Sequence, residues 1–149
     1  MDGDAEAEVE EQGFPKLRLP GDAAVRGIGV VGASVEAGAN VIGTNTFVAS
    51  FPHLEMAGKD ASASDKLVRR AVEHAKTAIE KSGKEIYIAG SIGPLPGAIE
   101  ADSGDTQFGI ANTIARDAHE KVATVLAEEG VDFFCIETMF SSKEAALAT

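Results

Sequence analysis

The chain has 149 residues, 44% of them hydrophobic, one cysteine and a formal charge of −11. It can form one cored domain but not two ordinary ones; its charge disfavours nucleic acid and anionic membranes, and one cysteine makes no intrachain disulfide or cysteine-rich zinc cage. No apolar run approaches the roughly 20 residues that span a bilayer and the start is acidic, unlike a signal peptide, so a soluble cytoplasmic chain is expected, its partner a small molecule or a protein.

The opening "MDGDAEAEVEEQG" holds little besides Asp, Glu and small residues. It can bury little surface, and residues 1–21 are expected to form a poorly ordered acidic segment and connector punctuated by Pro15, Pro20 and Gly21. Residues 22–149 are expected to form the domain. "DAAVRGIGVVGASVEAGAN" reads as a packed helix despite Gly27, Gly29, Gly32 and Gly38. A strand over 41–47 follows, then a loop with Pro52 and Gly58, then a helix over 64–81 in which Leu67, Ala71, Ala75, Ala78 and Ile79 keep helical spacing. "GKEIYIAGSIG" opens a second strand at about Glu85. "FGIANTIARDAHEKVATVLAEEG" reads as a helix closed by Gly130, with Ile114, Ala118, Val122 and Val125 on one face. "VDFFCIET" is a continuous apolar strand, as suits a parallel strand covered on both sides. "SSKEAALAT" begins another helix, where Ser141 and Glu144 have capping-box spacing.

Strands recurring about every 45 residues with helices between them imply a parallel sheet with right-handed crossovers, either an open sheet or a (β/α)₈ barrel. Polar residues gather where each strand ends: Thr44, Asn45 and Thr46; Ser91; Glu137 and Thr138. A barrel lets successive strands contribute to one central pocket. The long loops after strands and the short turns after helices fit the same arrangement. An α/β fold is expected, the first half of a (β/α)₈ TIM barrel.

Each polar residue also has a structural reading. Glu137 could pair with a lysine or a helix N-terminus, and Thr44, Asn45 and Thr46 could satisfy loop backbone groups, the commoner role for such residues. Cys135 reads as a small buried hydrophobe, His74 and His119 as solvated helix positions, and Asp102 and Asp105 as a solvated acidic loop. No metal-spaced histidine pair occurs, and "GSIGPLPG" lacks the Lys-Ser/Thr of a P-loop.

"EAGANVIGTNTFVAS", "IYIAGSIGPLPG" and "EEGVDFFCIETMFSSKEA", in this order, resemble the homocysteine S-methyltransferase family, the homocysteine-binding barrel shared with betaine-homocysteine methyltransferases and cobalamin-dependent methionine synthases. The resemblance covers about residues 36–147. It implies methyl transfer to the homocysteine thiol, giving methionine, with a zinc ion generating the thiolate. It further implies that Glu137 binds homocysteine, its charge suiting the ammonium group, that Thr44, Asn45, Thr46 and Phe47 line the same mouth, and that Ser91, Gly93 and Pro94 form a turn where glycine lets backbone approach ligand. Asp2, in "MDG", stands as the counterpart of a second substrate carboxylate, although no apolar strand precedes it.

The departures bear on activity. The family's zinc ligands are three cysteines late in the barrel, beyond the strands read here, and Cys135 is not one of them. A full barrel takes about 250 residues. The chain therefore looks like an N-terminal half, inactive alone, completed by a C-terminal portion or partner chain. The alternative is a non-catalytic half-barrel remnant that binds or self-associates through open edges; a small open sheet unrelated to methyl transfer is a third reading. Val48 stands where betaine-specific members carry tyrosine, so a quaternary ammonium donor loses an aromatic contact. The methyl donor is not identified by these residues.

Overall fold

The structure is a computed structural model that describes residues 31–104 and 109–149. The expected acidic segment 1–21, and with it Asp2, lies outside the described residues, as does Asp105. Residues 31–36 are helical (α1). Next come β1 (Val41–Gly43), α2 (Phe51–Met56), a 3₁₀ turn (Ala61–Ala63), α3 (Ser64–Ser82), β2 (Tyr87–Ile92), α4 (Glu100–Ser103), α5 (Asn112–Glu128), β3 (Phe133–Ile136) and α6 (Ser142–Leu147).

The strands form one parallel sheet in the order β1-β2-β3, with Val41 opposite Tyr87 and Ser91 opposite Cys135. Side chains alternate between sheet faces, so this register puts Ile42, Ile88, Gly90 and Ile92 on one face and Val41, Tyr87, Ser91, Phe133 and Cys135 on the other. The helices cover the first face. Ile42 and Ile88 pack with Val31, Val35, Ala75 and Ala78. Ile92 packs with Val68, Val72, Val122, Val125 and Leu126, which joins α3 and α5 in one cluster. Full burial of such side chains stabilises by about 1.5–3 kcal/mol each. A third cluster of Leu95, Ile99, Ala115 and Ala118 seats the loop after β2 on α5. At Gly90 the sheet meets α5 closely: a Cβ there would lie 3.0 Å from Leu126 Cδ1, so the Leu126 side chain would have to yield.

Several expectations change. The strand expected over 41–47 ends at Gly43, because the next residues leave the ladder. The buried stripe of α3 runs through Ser64, Val68, Val72, Ala75 and Ala78, leaving Leu67 exposed. In α5 the stripe runs through Ala115, Ala118, His119, Val122, Val125 and Leu126, and Ile114 is exposed. The other expected positions hold in part: Ala75 and Ala78 of α3 and Ala118, Val122 and Val125 of α5 are buried, while Val68 and Ala115 take the places expected for Leu67 and Ile114. His74 and His119 lie on these inner faces and are buried, contrary to the solvated reading. Cys135 is only half-buried. β3 is not covered on both sides: Phe133 is 45% and Phe134 46% exposed, since among the described residues β3 pairs with β2 alone. No helix among the described residues is long and apolar enough to cross a membrane.

Candidate functional site

β2 runs further than β1, and the difference creates the candidate site. Tyr87 N–H donates to Asn40 O, and Thr44 N–H to Ala89 O at 2.9 Å. Alternate residues of a parallel strand bond to the same neighbour, so Ser91 also turns its N–H and C=O toward β1. By then β1 has ended, and two hydroxyls take its place. Ser91 N–H donates to Thr44 Oγ1 at 3.0 Å, and Thr46 Oγ1 donates to Ser91 O at 2.6 Å. The two threonine oxygens are 2.7 Å apart. A hydroxyl carries one proton, and that of Thr46 is committed to Ser91 O, so Thr44 must donate to Thr46. The result is a closed circuit around the Ser91 peptide groups, with Thr44 5% and Thr46 2% exposed.

The Ser91 hydroxyl then reaches the third strand end, donating to Glu137 Oε1 at 2.5 Å. Glu137 continues the ladder past β3, its N–H donating to Ile92 O at 3.0 Å. Thr138 has a left-handed backbone, φ 59°, costly for a β-branched residue and located at the end that presents Glu137. Thr44, Thr46, Ser91 and Glu137, drawn from three strand ends, thus form one network. Asn45 is exposed between the two buried threonines. Gly93 has a packing reason to be glycine: a Cβ there would lie 2.5 Å from Phe47 O.

A second polar cluster escaped the sequence reading. Glu144, 3% exposed in the first turn of α6, accepts Leu95 N–H at Oε1 (2.6 Å), with His119 Nε2 3.3 Å from the same oxygen. The capping-box expectation holds in one direction. Ser141 Oγ accepts from Lys143 N and Glu144 N, at 3.1 and 3.3 Å, while the Glu144 carboxylate turns to Leu95 instead of returning to the cap. Burial lowers the His119 pKa, outweighing the charge and hydrogen bond of Glu144, which raise it. His53, bonded through Nδ1 to Ser50 Oγ at 2.8 Å, is also lowered by burial, with Glu144 opposing and His119 adding to the shift. The i, i+4 and i, i+3 spacing of Ala115, His119 and Val122 was the available signal for His119; nothing local links it to residue 144. Asp102 is exposed and accepts from Ser141 Oγ at 2.6 Å.

The strand-end network suits a cationic or N–H-donating ligand. Glu137 is a half-buried carboxylate with one oxygen held by a hydroxyl donor. Among the described residues no group of three or more His, Cys, Asp or Glu could hold a metal ion. A groove of about 590 Å³ lies away from these strand ends, between α3 and α5, lined by Arg69, Lys121 and Glu128 among others.

Comparison with known proteins adds an independent observation. The homocysteine S-methyltransferase family model matches residues 30–149. Homocysteine S-methyltransferases 2 and 3 of Zea mays are each 34% identical over 128 aligned residues, taking in 74% of this chain and 37% of theirs. Crystal structures of the homocysteine methyltransferase MmuM from Escherichia coli, metallated and oxidized, give TM-scores of 0.65 and 0.66 at 19% identity. They cover 94% of this chain and 53% and 52% of MmuM, a likeness of fold. The chain spans 37% of the length of those curated relatives.

Proposed function

The chain belongs to the homocysteine S-methyltransferase family, and from that premise we propose that its strand ends form part of a homocysteine site in a protein that methylates the homocysteine thiol to methionine. Its three strands are consecutive staves of a (β/α)₈ barrel, in a domain over residues 22–149, and the sheet face bearing Val41, Tyr87 and Phe133 is the barrel interior. The observation that carries this reading is the Ser91–Glu137 contact, which ties strand ends together around a carboxylate. Glu137 receives the homocysteine ammonium. Asn45, exposed at the rim, offers an amide to the ligand, while Thr44 and Thr46 hold the rim from within.

The described residues do not fit a zinc site. Cys135, the chain's one cysteine, is half-buried, and no third ligand joins it and Glu137. No step of thiol activation is therefore derived from them; that chemistry belongs to a C-terminal portion or partner. The methyl donor is a second small molecule bound at the completed mouth, and the reducing cytoplasm is the setting that suits a lone cysteine. Calorimetric titration of the chain with L-homocysteine tests the reading. Glu137→Gln is expected to weaken binding at least about tenfold, by loss of a charge-assisted contact; unchanged affinity overturns the assignment.

A second reading rests on the uncovered sheet face, where Val41 is 45%, Tyr87 51% and Phe133 45% exposed. A half-barrel with this face open can act as a self-associating module without catalysis. Sedimentation velocity distinguishes it: concentration-dependent association that Phe133→Asp abolishes, without homocysteine binding, supports the module over the enzyme.

A further inference from the structure

We propose that Ser91 is the positioning residue for Glu137, and that Thr44 and Thr46 act on the ligand only through it. This assignment rests on the reading of Glu137 as the ammonium-binding carboxylate. Ser91 is 4% exposed, and both polar groups of its backbone are fixed by the threonine circuit. Its hydroxyl is thus delivered from a rigid support to Glu137 Oε1 at 2.5 Å. One hydroxyl proton given to one carboxylate oxygen orients the carboxylate and leaves Oε2 without a hydrogen-bond partner among the described residues. That free oxygen is the one available to a ligand cation. A carboxylate held before binding loses less freedom when the ligand arrives, so its affinity is higher than that of the same group left to rotate.

A ligand pair separates positioning from general structural support. L-homocysteine carries the ammonium group, whereas 4-mercaptobutanoate has the same thiol and carboxylate without it. Binding of both to the 149-residue chain is measured by calorimetry for the unaltered protein, Glu137→Gln, Ser91→Ala, Thr46→Val and Thr46→Ser, with thermal unfolding as the folding control. The expected result is a loss of about tenfold for homocysteine in Ser91→Ala, with less than about twofold change for 4-mercaptobutanoate. Thr46→Val follows in the same direction and Thr46→Ser, which keeps the hydroxyl, does not. If Ser91→Ala fails to fold, the Thr46 pair carries the same comparison. Equal losses for both ligands assign Ser91 a structural role and overturn the proposal. A loss in Glu137→Gln with none in Ser91→Ala or Thr46→Val overturns it while leaving the Glu137 reading intact. Absence of homocysteine binding, or indifference to Glu137→Gln, overturns that reading and the positioning role with it.

Discussion

Glu144 and Leu95 are joined by a hydrogen bond of 2.6 Å from the Leu95 N–H to a carboxylate oxygen, and both residues are at most 4% exposed. Removing the carboxylate leaves a buried N–H unpaired beside His119. Glu144→Ala is expected to destabilise by about 3 kcal/mol, and Glu144→Gln, which keeps an acceptor oxygen, by less. Denaturant titration of the two variants checks the order.

Stability is expected to fall with acid below neutrality. Burial holds the His119 pKa below its usual 6.5, so between 6.5 and the depressed folded value the unfolded chain binds more protons. The contribution is therefore complete above about pH 6.5 and is lost as pH falls toward the folded pKa, at up to about 1.4 kcal/mol per pH unit for one proton. His53, lowered chiefly by burial, adds in the same direction. His119→Gln is expected to flatten the dependence of unfolding free energy on pH between 5 and 7; an unchanged slope contradicts this account.

Gly93→Ala sets a new Cβ against Phe47 O at 2.5 Å, where backbone must yield. A cost of about 2–3 kcal/mol is expected, as for other overpacked cores. Gly43→Ala is the control, since a Cβ there meets nothing within 4 Å; its melting temperature is expected to stay close to that of the unaltered chain.

Thr138→Gly removes the left-handed strain of a β-branched residue but adds freedom to the unfolded chain. The two terms oppose each other, each of order 1 kcal/mol. A net change within about 1 kcal/mol is expected, by thermal denaturation, whereas a Gly substitution at extended Ile88 should cost several kcal/mol through lost burial.

Much of this architecture was legible because it is written in local periodicity. The helix expected over 64–81 is Ser64–Ser82, closed by Gly83 at φ 63°, and the three strands fall within their expected segments. Local pattern could not place the core face to the residue: Leu67 and Val68 are both large apolar neighbours, and at 114–115 the smaller Ala115 is buried while the larger Ile114 is exposed. Nor could it separate the two roles open to "TNT". The threonines turn inward because β2 outlasts β1, a relation between residues 44 and 91 that no window along the chain contains. The cluster around Glu144 was missed for the same reason.

The Leu95–Glu144 bond also orders the events of synthesis. Forty-nine residues separate donor and acceptor, so the amide of Leu95 is made long before the group that satisfies it. A nascent chain that emerges N-terminus first can form the β1–β2 pairing and seat the loop after β2 on α5 while the Leu95 N–H still lacks its acceptor, which arrives only with α6. α6 is thus a clasp, and chains interrupted before residue 144 should be cut by proteases at the turn around Leu95 more readily than the 149-residue chain.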